Sequence, residues 1–214
     1  MKIVIDIDDV LLDTTAAVRQ YYLSMNPNAD ISESDYISDW KIYTDNKRDE
    51  WKRLIEEFNA SDYLEKTLPV HGAVEALKKL KASGHSLATL SASTVDPQVM
   101  ERKIALLKTI FGEDIFDEFY FIGVFESKKE RLMKTGANVL IDDGLANVTN
   151  ALDLGMTGIA LKTKQNAKYI DWLADENTSG QITPSFWTYD KDKLKNAKIA
   201  NDWQQVLKII ESKK

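Results

Sequence analysis

No cysteine occurs anywhere in the 214 residues. That absence excludes a disulfide framework, a thiolate metal site and a cysteine nucleophile, and it fits a reducing compartment. Basic residues are outnumbered, 28 Lys and Arg against 34 Asp and Glu, for a net charge of −6. A surface of that sign argues against a nucleic-acid polymer as partner, although a few local cations suffice for a small anionic substrate. Long hydrophobic runs are missing as well. None approaches transmembrane length, and the N-terminus enters a core strand without room for a signal peptide, so a cytoplasmic protein with no membrane partner is expected. The only two histidines, His71 and His85, stand at a helix start and a strand start and read as surface residues rather than ligands. What remains is ordinary for a globular chain with a real core, 43% hydrophobic and 29% charged. The length suits one medium domain, alone or carrying a smaller insertion.

What is present is organised around Lys2-Ile3-Val4-Ile5-Asp6-Ile7-Asp8-Asp9-Val10. A short apolar, β-branched run of this kind reads as a strand covered on both faces, as in a parallel sheet. Ending such a strand in several carboxylates is costly, because like charges repel and burial penalises the ionised form. A cation or a phosphate-bearing ligand at the strand's carboxyl end resolves the conflict, and open α/β sheets bind ligands there.

From Asp13 to Leu68 no buried-strand signal appears. Helical patterns run through Ala16, Val18, Tyr21, Tyr22 and Met25, and again from Asp45 to Asn59, where Trp51, Leu54, Ile55 and Phe58 share a face. Ser32 and Asp35 resemble a capping box. This region reads as an aromatic-rich helical insertion. Trp51 and Phe58 are most simply its core, whereas Trp40 and Tyr43 lie off the stripe and are candidates for covering an apolar part of a substrate. After Pro69 helices and strands alternate. Strands are expected at 85–90, 119–124, 138–141 and 157–161, with helices between them closed by Gly84, Gly112, Gly136 and Gly155. Asp96-Pro97 is a helix start. The stretch 176–201 is polar and shows no period, and Trp203, Val206, Leu207 and Ile210 make a closing amphipathic helix. Alternation of this kind implies βαβ units, a parallel sheet and right-handed crossovers.

Polar groups therefore terminate four segments: Asp6-x-Asp8, Ser91, a lysine at 128 or 129, and Asp142-Asp143. Phosphoryl transfer through a phospho-enzyme uses such a set, with a carboxylate nucleophile, a second carboxyl for protons, a divalent cation and donors for the phosphoryl oxygens. Spacing does not separate the two lysines; Lys128, nearer the preceding strand, is the preferred one.

In these four motifs the sequence resembles the haloacid dehalogenase-like phosphatase superfamily, and within it the 5′(3′)-deoxyribonucleotidase branch. Leu68-Pro69-Val70-His71-Gly72-Ala73-Val74-Glu75-Ala76-Leu77 and Val139-Leu140-Ile141-Asp142-Asp143 carry the closer similarity. The resemblance implies a Rossmann-like parallel sheet flanked by helices, with core residues 1–14 and 68–214 and a small helical cap, residues 15–67, inserted after the first strand. It implies that Asp6 is the nucleophile and Asp8 the general acid–base. Ser91, Ala92 and Lys128 or Lys129 would hold phosphate. Mg²⁺ would be bound by Asp6, Asp8 (through its carbonyl) and Asp142, with Asp143 in support. An acid beside other carboxylates should have its pKa raised, and this is expected of Asp8. The implied protein is a monomer or homodimer acting on a small phosphorylated substrate, a (deoxy)nucleoside monophosphate. A sugar phosphate or other small metabolite is the alternative, and a receiver-like phospho-acceptor without turnover is a rival of another class.

Overall fold

The computed structural model describes residues 1–31, 47–182 and 189–213. Its centre is a six-stranded parallel sheet, in spatial order β3-β2-β1-β4-β5-β8. The strands are β1 (Lys2–Ile5), β2 (Ser86–Ala92), β3 (Glu118–Ile122), β4 (Val139–Asp142), β5 (Thr157–Leu161) and β8 (Lys198–Ala200). The period of two in β1 divides its side chains between two cores. Ile3 and Ile5 join Leu87, Val139 and Ile141 on one face, while Val4 joins Ala88, Leu90 and Leu140 on the other. All three β1 side chains are fully buried, as expected of a strand covered by helices on both sides.

Helices α3 (Ala73–Ala82), α4 (Pro97–Phe111), α5 (Lys129–Thr135) and α6 (Leu145–Asp153) make the crossovers. Their ends follow local chemistry. Asp96 caps α4 by accepting from Gln98 N at 2.8 Å, with Pro97 at the first helical position. Gly84 and Gly155 leave α3 and α6 at positive φ, where a side chain would be strained. Gly158 in β5 has another role: a Cβ there would lie 2.8 Å from Val148 Cγ1, so its absence lets α6 sit close on the sheet.

Between β1 and α3 lie α1 (Thr14–Met25) and α2 (Lys47–Ala60). The two ends of this segment are tied together. Asp13 N donates to Leu68 O at 2.9 Å and Val70 N to Leu11 O at 2.8 Å. Phe58 is fully buried and meets Tyr21 edge-on, the core role expected of it. Trp51 is half-buried against the same core and also meets Phe125 of the loop after β3 edge-on, at 5.0 Å. Trp40, Tyr43 and the capping box at 32–35 lie outside the described residues.

The C-terminal quarter holds more than its sequence shows. It contributes β8, helix α7 (Ala167–Ala174), a hairpin of β6 (Gln181–Ile182) and β7 (Tyr189–Asp190), a single turn α8 (Lys191–Leu194) and α9 (Trp203–Glu211). Trp203 is buried and its Nε1 donates to Val10 O at 3.0 Å, which pins α9 to the loop following β1. His85, expected at the surface, is buried; His71 is exposed as expected. No helix of the described residues is long and apolar enough to cross a membrane.

Candidate active site

β1 and β4 are neighbours in register, with Ile5 opposite Ile141, and Asp6 N donates to Ile141 O at 2.9 Å. The register sets Asp6 beside Asp142 at the carboxyl edge of the sheet. Asp143 follows, and carboxylate oxygens of Asp6, Asp142 and Asp143 lie within 4.8 Å of one another, all three residues buried. Lys128, 1% exposed, places its Nζ 2.8 Å from Asp6 Oδ1 and 2.8 Å from Asp142 Oδ2. The other Asp142 oxygen accepts from Gly144 N at 2.8 Å and Asn147 Nδ2 at 3.0 Å. Asn166 Nδ2 bridges the carbonyls of Asp143 and Leu161, both at 2.9 Å, so the C-terminal segment braces the acidic pair.

One ammonium among three buried carboxylates leaves an excess of negative charge, and the titration behaviour reflects it. Burial, with Asp142 and Asp8 adding repulsion, pushes the Asp6 carboxyl up to about 8 against the opposing pull of Lys128. Burial and the charges of Asp142, Asp9 and Asp6 likewise raise Asp143 well above the usual carboxylate range. Burial alone would lower Lys128, but Asp142 and Asp6 overrule it and hold its proton more firmly than usual. A hard divalent cation suits this set of clustered carboxylate oxygens. Asp143 stands inside that cluster rather than behind it.

Asp8 faces a different set of groups. Its Oδ1 accepts from Thr14 Oγ1 at 2.8 Å, and its Oδ2 from Ser91 Oγ at 2.7 Å. Lys103 Nζ, carried by α4, reaches both oxygens at 3.0 and 3.3 Å. The direction expected for Asp8 is reversed. Burial raises its pKa, but Lys103 and the bonds from Ser91 and Thr14 outweigh burial, and the carboxyl is held below the ordinary value. The expectation counted neighbouring carboxylates and missed the neighbouring ammonium. Asp8 also lies outside the carboxylate cluster, so its side chain is not placed as a metal ligand.

Lys103 was invisible to motif reading. It is 1% exposed and also donates to Ser93 Oγ at 2.9 Å, which in turn lies 2.6 Å from Ser91 Oγ. The signal that could have found it is positional: with Val99, Leu106 and Leu107 it occupies the buried face of α4, where a lysine needs a buried partner. Ser91 and Ala92 end β2 beside Asp8, and Ala92 lines the cavity above the cluster. Lys129 points elsewhere. It pairs with Asp153 at 2.8 Å, 44% exposed, and only Lys128 of the two enters the site.

Asp9 follows at φ +60°, a left-handed conformation that Asp tolerates better than most residues. Thr15 holds it through N at 2.7 Å and through its hydroxyl. Burial pushes its carboxyl up to about 7 despite those bonds. Above this floor a cavity opens toward α2, with Trp51, Ile55 and Asn59 on one wall and Tyr169 and Tyr189 on another.

The fold that carries this edge has known counterparts. A haloacid dehalogenase-like family hydrolase from Streptococcus pneumoniae superposes with a TM-score of 0.63 at 12% identity, over 98% of this chain and 97% of that one. A hydrolase of the same superfamily from Deinococcus radiodurans, solved with bound phosphate and sodium, gives 0.60 at 16% identity over 96% and 92%. One from Ehrlichia chaffeensis gives 0.54 at 14% over 99% and 96%. At such identities the likeness shows the fold. No curated protein matches the sequence. The family described as 5′ nucleotidase, deoxy (Pyrimidine), cytosolic type C protein matches residues 1–177, most of the chain. With the α/β core and acidic strand ends in place, the chain belongs to that family, a phosphomonoesterase of the 5′-nucleotidase kind on the haloacid dehalogenase-like fold.

Proposed function

We propose that the protein is a Mg²⁺-dependent phosphatase that cleaves (deoxy)nucleoside monophosphates through an aspartyl-phosphate on Asp6. The observation that carries the reading is the convergence of Asp6, Asp142 and Asp143 with Lys128 at adjoining strand ends, beside an independently held Asp8. Asp6, Asp142 and Asp143 would hold the metal, whose positive charge would offset the crowded carboxylates and polarise a phosphoryl oxygen.

This chain's own groups divide the remaining work. An Asp6 carboxylate oxygen attacks phosphorus while the bond to the ester oxygen breaks. Asp8 delivers a proton to that leaving oxygen. Because Asp8 rests ionised, the proton arrives with the substrate as the phosphate monoanion, whose second pKa is near 6. Water then attacks the aspartyl-phosphate at phosphorus as the bond to Asp6 breaks, Asp8 takes its proton, and the departing phosphate carries that proton away, so that both carboxylates are regenerated. Ser91 Oγ and the ammonium groups of Lys103 and Lys128 are the donors within reach of the phosphoryl oxygens, with Ala92 offering backbone at the end of β2. α2, which lines the cavity through Trp51, Ile55 and Asn59, acts as part of a cap that excludes water from the site.

A panel of phosphorylated metabolites, assayed with and without Mg²⁺, tests the assignment. Nucleoside monophosphates should give the highest kcat/KM, and chelation should abolish turnover. Preference for a sugar phosphate would move the protein to the neighbouring phosphatase class. Phosphate uptake without release would make it a phospho-acceptor module.

A further inference from the structure

On α2, Trp51, Ile55 and Asn59 recur every fourth residue and all line the cavity, while Ile55 also joins Leu54 and Phe58 in the core. The first two positions of that stripe are apolar. Asn59 is not, yet it is 2% exposed. Its backbone carbonyl accepts from Arg102 at 2.9 Å, and its Nδ2 donates to Ser93 O at 3.4 Å. The carbonyl of Ser93 requires a donor, which fixes the orientation of the amide and leaves Oδ1 on the other side. Oδ1 is buried and accepts no hydrogen bond among the described residues. A buried acceptor without a donor costs free energy, and such groups call for a reason. The same residue borders a second cavity, toward Asp96 and Glu126, so it stands where the space above Asp8 and Lys103 continues outward.

We propose that Asn59 is a specificity-determining residue, whose Oδ1 accepts a hydrogen bond from a hydroxyl of the substrate's leaving group. The preferred substrates are then phosphomonoesters of polyhydroxylated or nucleoside alcohols, and esters lacking a donor close to the phosphate are disfavoured. Binding supplies the missing partner, so the discrimination comes from a group already ordered in the free enzyme. The inference rests on the phosphomonoesterase reading.

Two substrate pairs test it: thymidine 5′-monophosphate against its 3′-deoxy counterpart, and glycerol 3-phosphate against propyl phosphate. Wild-type enzyme should favour the hydroxyl-bearing member of at least one pair by on the order of tenfold in kcat/KM. In Asn59→Leu that ratio should fall to about one. A merely structural role would depress both members alike and leave the ratio standing, and that result overturns the proposal. So does a wild-type enzyme that shows no preference in either pair, a measurement that needs no variant. Asn59→Ser provides the ratio if Asn59→Leu does not fold. If wild-type enzyme releases phosphate from none of the four esters nor from p-nitrophenyl phosphate, the phosphomonoesterase reading itself fails. Turnover of p-nitrophenyl phosphate without discrimination removes Asn59 alone.

Discussion

Two carboxylates separated by a single residue in sequence are given opposite characters by what surrounds them. Asp6 lies among Asp142 and Asp143 with Lys128, and its carboxyl is pushed up to about 8. Asp8 meets Lys103, Ser91 and Thr14, and its carboxyl is held down. Environments that push neighbouring acids apart are how one site assigns them different tasks. The first motif made both residues legible, because charges at the end of a buried strand stand out. Their separation was not, because it depends on an ammonium that arrives 95 residues later in the chain. Lys103→Met removes that ammonium. The acid limb of the kcat/KM profile should then move to higher pH, and kcat/KM at neutral pH should fall by about 10²-fold, measured on p-nitrophenyl phosphate. A limb that stays in place would show that Lys103 does not govern Asp8.

Among the elements, α4 links the acidic site to the end of α2. Lys103 reaches inward to Asp8 from its buried face. One position earlier, Arg102 reaches the far end of α2, donating to Asn59 O at 2.9 Å, to Ser61 O at 2.8 Å and to both Glu65 oxygens at 2.6 Å. Arg102 is one-third exposed and Glu65 about half, so the pair itself adds little to global stability. Its fork geometry nevertheless fixes how α2 meets the core. Arg102→Leu is therefore expected to raise KM for a nucleotide by about tenfold, while the unfolding free energy changes by only about 1 kcal/mol. A thermal or denaturant melt beside steady-state kinetics checks both; a large loss of stability with KM unchanged would contradict the clamp. α4 itself was legible from Asp96-Pro97 and its apolar period. α5 was less so: at seven residues it is too short for periodicity to orient it, so Lys128 was preferred over Lys129 only for its nearness to β3, and burial separates the two.

For the molecule as a whole, the sheet was readable because its strands are continuous apolar runs divided by helices with clear caps. The C-terminal quarter was not. β6 and β7 have two residues each and β8 has three, too few to display a period, and β7 and β8 take their places by packing Tyr189 and Ile199 with residues of α6 and β5. The acidic floor also has a consequence for the entire fold. Asp6, Asp9 and Asp143 have folded-state pKa values above the unfolded value of 3.8, so between about pH 4 and 8 the folded chain binds more protons than the unfolded one. Stability of the metal-free protein must then fall as pH rises through that window. The firmly held proton of Lys128 acts only above the unfolded lysine value of 10.5, and Asp8 only below 3.8, so neither reverses the trend. Calorimetry should show Tm falling from pH 5 to pH 8 without metal, and Mg²⁺ raising Tm more at pH 8 than at pH 5. A Tm that climbs with pH in chelator would contradict this account of the cluster.

The most direct test of the central claim is phosphate release from p-nitrophenyl phosphate by wild-type and Asp6→Asn protein across a Mg²⁺ titration. Wild-type turnover should rise from background to saturation with the metal, while Asp6→Asn, folded by circular dichroism, stays at least about 10³-fold lower at every concentration. Substantial turnover by Asp6→Asn, or wild-type turnover indifferent to Mg²⁺, would contradict it.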